Sequence, residues 1–318
     1  MNPYEIAAIV QLIICVFLEA WLVFLMTKYS SFKRAIRFES QINHESGNEH
    51  HLKRVTSSLL MTFVPLTLLI LVRIGAGAAV IAFYRLKNTA SEKTISNLVI
   101  AITVMENFGI AFLESTIFQL IICIASLEDP SFESKGIIAR VIYFFKRSTD
   151  DQLLNKNTSL LTTVFSYTGT VMMVGIILSA AGGSMLSSPE GTESSTARSL
   201  LRAGSVLFLV AFISIFGQLI YLIFIDDSSR LHDQRLSINK SDQALLKVCL
   251  AAAPFFIVRI VYSLLSSFQS SIFDNKFIIL LGDWRYFVGM QLCMELSAAI
   301  VLLYALSVLL TSQRLAQP

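Results

Sequence analysis

Six ionisable side chains stand inside runs that are otherwise apolar: Arg73, Glu106, Arg259, Glu295, Glu19 and Glu114. Arg73 lies 33 residues before Glu106, and Arg259 lies 36 before Glu295. An isolated charge in a bilayer costs ~2.5–3.5 kcal/mol on insertion scales. A guanidinium and a carboxylate satisfy each other most cheaply through two parallel hydrogen bonds. Counting from the helix ends at ~1.5 Å per residue puts each Arg and its Glu at similar depth, in the outer half of the membrane. The spacing therefore predicts Arg73–Glu106 and Arg259–Glu295 contacts, or the crossed pairing of the same four groups. Such pairs either fix helix register or line a polar site. No intramembrane cation is left for Glu19 and Glu114. A carboxyl in hydrocarbon either takes a proton or faces a wet cavity. Either acid is then a proton carrier, a site for a cationic ligand, or a neutral acid hydrogen-bonded within the bundle.

The elements that carry these residues follow from composition. Of 318 residues, 54% are hydrophobic and only 15% charged, and mean hydropathy is +0.67. Soluble domains carry about 25% charged residues, so a soluble enzyme, a nucleic-acid binder and a secreted disulfide scaffold are excluded. A spanning helix needs ~20 apolar residues. Hydropathy predicts an all-α, polytopic bundle of seven transmembrane helices in a single domain over 1–318, at about 5–27, 55–84, 98–126, 159–186, 199–225, 243–268 and 285–311. The second segment is the longest, which predicts tilt or a kink near Pro65. Cys15, Cys123, Cys249 and Cys293 all lie in apolar runs and read as buried small residues, with no disulfide framework. The first run lacks a basic leader and a cleavage site, and reads as a retained helix. Gly75, Gly77 and Ala79 form a small face suited to a neighbouring helix.

Sixteen Lys and Arg fall on one side of this topology and seven on the other, which predicts an outside N-terminus and a cytoplasmic C-terminus. Asn157 and Asn239 begin glycosylation sequons on predicted cytoplasmic loops, so a glycan on either would reverse that orientation. Residues 136–147 mix apolar residues with cations, reading as a headgroup-level helix or an extension of the fourth span. The Ser-, Gly- and Thr-rich stretch from Ala181 to Thr196 reads as a flexible loop.

Chemistry beyond ion pairing is not signalled. His44, His50, His51 and His232 are placed in loops, so no intramembrane zinc site is expected. Gly182-Gly183-Ser184 lacks the pattern of a nucleophile elbow, and no phosphate-binding glycine loop occurs. No catalytic residue, metal or cofactor is expected, and the chain is not read as an enzyme. The seventh segment carries no lysine for a retinal Schiff base, and the segment ends lack the motifs of rhodopsin-like receptors. An internal echo is present: Val72-Arg73-Ile74 recurs as Val258-Arg259-Ile260, after Pro65 and Pro254, and Met105-Glu106 recurs as Met294-Glu295. It suggests two parallel three-helix units joined by the fourth helix, or chance in Leu/Ile/Val-rich sequence.

Leu71-Val72-Arg73-Ile74-Gly75-Ala76-Gly77, and Pro254 to Tyr262 followed by Met294-Glu295, together with seven helices, resemble a family of uncharacterised fungal integral membrane proteins. That family is broadly akin to lipid-translocating-exporter-like seven-helix proteins. The acidic and aromatic signature of the exporters is absent here, so lipid export does not carry over. The resemblance implies a fungal source, a seven-helix bundle over most of the chain, and no assigned activity. The functional expectation is a multi-pass protein of the plasma membrane or an endomembrane. Its partners would be the lipid bilayer and a small solute or lipid, bound or moved through an outward-facing polar cavity near Arg73, Glu106, Arg259 and Glu295, with Glu114 and Glu19 extending the polar path toward the midplane. The alternative is a non-classical seven-helix receptor or a membrane scaffold, held by structural ion pairs.

Overall fold

A computed structural model describes residues 2–43, 46–128, 160–185, 193–229, 240–268 and 283–315. All regular structure among them is helical. The elements are α1 (Pro3–Asn43), α2 (Ser46–Leu86), α3 (Glu92–Glu128), α4 (Leu160–Met185), α5 (Glu193–Ser229), α6 (Lys240–Ala251), α7 (Ala253–Phe268), the single turn α8 (Trp284–Tyr286), a π-helical segment (Phe287–Cys293) and α9 (Met294–Leu315). Seven helices are long and apolar enough to cross a membrane: Pro3–Ser31, Thr62–Leu86, Lys93–Ile124, Tyr167–Met185, Ser195–Ile223, Gln243–Phe268 and Trp284–Thr311.

Local chemistry sets the helix starts. Asn2 Oδ1 accepts the Tyr4 N–H at 3.0 Å while the Asn2 N–H donates to Glu5 at 2.9 Å, a reciprocal cap on otherwise orphaned donors. Ser91 caps α3 through the Thr94 N–H, and Asp283 caps α8 through the Arg285 N–H. The two prolines behave differently. Helix α2 continues unbroken through Pro65, whereas the sixth span is interrupted at Ala252, just before Pro254. Pro254 has no N–H to give to the preceding turn, and the Ala252 N–H bonds Cys249 O at 3.1 Å in a tighter turn.

Several sequence expectations need correction. The first connection is mostly helix: α1 runs to Asn43 and α2 starts at Ser46, so His50 and His51 are helical. Gly182 and Gly183 lie inside α4 and form a close approach, a Cβ on Gly182 falling 2.8 Å from Ala197 O of α5. Cys293 is exposed, unlike the buried Cys15, Cys123 and Cys249, because the π segment turns it away from the bundle. Residues 136–147, the sequon asparagines Asn157 and Asn239, His44 and His232 lie outside the described residues. The small face does pack, but on two partners: Gly75 approaches Met105 of α3, and Gly77 approaches Leu12 of α1.

Helix α3 is the axle of the bundle. It packs against α2, α4, α5, α6, α7 and α9, and 83% of its span is buried, the highest share of the seven. The main apolar core includes Phe63, Phe118, Phe208, Phe256 and Leu302. A second, smaller core of Tyr4, Ala8, Val80, Ile102 and Phe287 forms where α2 ends and α3 begins, with Tyr4 stacked on Tyr84 at 5.8 Å. Outward-facing Phe17, Ile213, Ile257 and Ile300 present apolar surface, as lipid contact requires.

Candidate functional site: a buried ion-pair network

Between the two apolar cores lies a layer of charge. Arg73 projects from α2, Glu106 from α3, Arg259 from α7 and Glu295 from the first turn of α9, and each is 1–3% exposed. Arg73 grips Glu295 with a fork: its Nε donates to Oε1 at 2.5 Å and its Nη2 to Oε2. Its Nη1 donates to Glu106 Oε2. Arg259 donates from Nε to Glu295 Oε2 at 3.1 Å, from Nη2 to the Glu106 main-chain carbonyl at 2.9 Å, and from Nη1 to Ser263 Oγ at 2.9 Å. Both predicted pairs therefore form, and the crossed Arg73–Glu295 pair forms with them. The two halves of the sequence echo converge on one network. Its formal charge is zero, which is how four ions can share a water-poor layer.

Four contributors carried no sequence signal as strong as a charge. Gln291, fully buried in the π segment, donates to Glu106 Oε2. Ser263 stands one helical turn after Arg259, a spacing that places it on the same face. Gln11 of α1 donates to the Arg73 carbonyl at 2.9 Å and ties a fifth element to the layer. Gly109, one turn beyond Glu106, leaves the space into which the ions fit: a Cβ there would stand closer than 3.0 Å to Glu295 Oε1 and Arg73 Nη2. Cys15, one turn beyond Gln11, is buried within Coulombic range of Arg73, Glu106 and Glu295.

Glu114 and Glu19 are not part of this network. Glu114 is eight residues beyond Glu106 on α3, about 12 Å along the axis, and 1% exposed, with neither carboxylate oxygen hydrogen-bonded. Glu19 is likewise eight residues beyond Gln11 on α1, with one buried oxygen unpartnered. The two acids thus lie at a similar depth, below the network. Further along α3, Ser115, Thr116 and Gln119 are buried. Between α4 and α5, Thr168, Ser214 and Gln218 form a hydrogen-bonded trio at 2.6–3.1 Å.

Hydrogen-bond supply is lopsided. Among the described residues no buried side-chain nitrogen lacks a partner, while Glu106 Oε1, Gln291 Oε1, Gln218 Oε1, one Glu19 oxygen and both Glu114 oxygens do. Unpaired buried acceptors are costly, and only a donor, a water or a cation satisfies them. No group of three or more metal-ligating side chains occurs among the described residues. The four charges expected from the sequence to stand at an outward-facing cavity are each 1–3% exposed. The Tyr4–Val80–Phe287 core closes the layer at one end, and the charges themselves fill it.

No curated protein and no solved structure matches the chain. A family profile described as a domain of unknown function, DUF7702, matches residues 56–313, from the second span through the seventh. The chain, with its seven apolar helices and the whole Arg–Glu network inside the matched region, belongs to the DUF7702 family.

Proposed function

We propose that this multi-pass membrane protein binds and moves a small solute or lipid through a polar path between its helices, with the Arg73–Glu106–Arg259–Glu295 layer as the closed gate. It is a carrier rather than an enzyme in this reading, with the bilayer as its partner, in the plasma membrane or an endomembrane, N-terminus outside. The observation that carries the proposal is the surplus of buried acceptor oxygens left without a partner, at the network itself and beyond it at Glu114 and Gln218. A bundle held only by its ion pairs has no need of acceptors left dry beyond them. Ions shared among four helices also suit a gate, because exchanging partners within the network lets helices shift without stranding a charge.

Cys15 provides the test, since it is buried beside the network. In a variant retaining only this cysteine, a charged, membrane-impermeant thiol reagent should modify Cys15 in reconstituted vesicles, at a rate that rises when Arg259→Lys loosens the network. A thiol inert from both sides of the vesicle over hours removes the path. The scaffold reading is favoured by one observation, the nearly complete pairing of the arginines, and it predicts that inert outcome.

A further inference from the structure

Glu114 is the buried ionisable group that the network leaves unused. Its carboxyl sits at the centre of the most enclosed helix, 1% exposed, with both oxygens unpartnered. Among the described residues, no ion pair or side-chain hydrogen bond joins it to α2, α4, α5, α6, α7 or α9, the helices packed on α3. Among the described residues, the other buried carboxyls of α3 and α9, Glu106 and Glu295, each have an arginine; this one has no hydrogen-bond partner. An ionised carboxylate so placed has neither counter-charge nor donor, and both are what burial of charge demands. The smallest occupant that removes the charge is a proton. A metal cation fits poorly, because it needs several oxygen ligands around one point, and no cluster of three or more acidic, His or Cys side chains occurs among the described residues.

We propose that Glu114 is a proton-binding site that couples a proton to the movement of solute, an inference that rests on the carrier reading above. In the closed conformation the carboxyl holds a proton. When the network parts and water reaches α3, the proton leaves to water and the carboxylate is solvated. Reclosure requires that a proton be taken up again, from whichever side the path then faces. The position suits this role: Glu114 lies about 12 Å from the gate along α3, with Ser115, Thr116 and Gln119 leading away from it.

An apolar carbodiimide, which reacts with protonated carboxyls in apolar surroundings, tests the site directly on the full chain in lipid vesicles. Peptide mass spectrometry should find the adduct on Glu114 at about pH 6, at least fivefold above Glu106 and Glu295, and falling as pH is raised towards about 9. Glu114→Gln should abolish the adduct while eluting as a folded protein. An unlabelled Glu114, or labelling equal at both pH values, overturns the proposal. So does suppression of the adduct by sodium or potassium at constant pH, which would make the site one for a metal cation. Failure of the carrier reading is seen separately: an inert Cys15 with pH-dependent labelling of Glu114 removes transport and leaves the proton site.

Discussion

Glu106 and Glu114 stand on one helix, two turns apart, each 1% exposed. The first is held by Arg73 and Gln291, and its main chain by Arg259. The second is held by nothing. Burial alone therefore says little about what a carboxyl does in a bilayer; the supply of donors around it decides. Around Glu106 the supply is built from α2, α7 and the π segment, so the group works as a structural counter-ion. Around Glu114 the same apolar helices offer no donor, so the group carries its own cost. Evenly buried residues can thus differ in whether their removal weakens or relieves the fold.

That contrast can be broken by substitution. Arg73→Ala should have the largest effect, because it takes a guanidinium from both carboxylates at once, leaving Glu106 with Gln291 and Glu295 with Arg259; loss of one partner of a buried pair costs about 3–5 kcal/mol, and no monodisperse protein should survive size-exclusion chromatography. Arg259→Ala strands one carboxylate contact and should lower yield and thermal midpoint less than Arg73→Ala. Equal losses would show that the network is shared evenly, contrary to its geometry. Glu106→Gln keeps the shape but weakens charge-assisted hydrogen bonds worth about 1.5–3 kcal/mol each, and its thermal midpoint should fall clearly. Gly109→Ala pushes a methyl group into the ions, and overpacking of this kind costs about 1–3 kcal/mol, read as a lower midpoint at unchanged helical content. Glu114→Gln should show the smallest change, because it removes no ion pair or hydrogen bond, measured in the same melts. A drop matching that of Glu106→Gln would end the distinction between the two acids.

The seven spans were legible because the bilayer imposes a length and a composition that sequence displays openly. The ion pairs were legible for a related reason: a charge deep in hydrocarbon has few partners, and Arg73 and Arg259 stand well inside their spans. Gln291, Ser263 and Gln11 were not singled out, because uncharged polar residues occur in many spans without meeting anything. Their one clue is a spacing of four residues from Glu295 and from Arg259, in the case of Gln291 and Ser263. Gly109 was missed because an absent side chain signals nothing until its neighbour is known. The helical first connection was read as a loop because its cations break the apolar run without breaking the helix. The sequence raised tilt or a kink near Pro65 but no break at Ala252, just before Pro254, although both prolines lack the same donor; where the chain yields depends on the tertiary packing around each, which sequence does not display.

The π segment of the seventh span has a consequence for how that helix meets its two environments. A π turn holds one residue more than an α turn, a phase change of about 100° at 3.6 residues per turn. Upstream of it, Trp284 and Tyr286 are exposed, aromatic side chains of the kind that anchor at a membrane–water boundary. Downstream, Glu295 must face two arginines. A uniform helix would let one requirement dictate the other. The surplus residue uncouples them, so the aromatic end and the charged middle each keep their own azimuth, and removal of a single residue between 287 and 293 would force one of the two out of alignment.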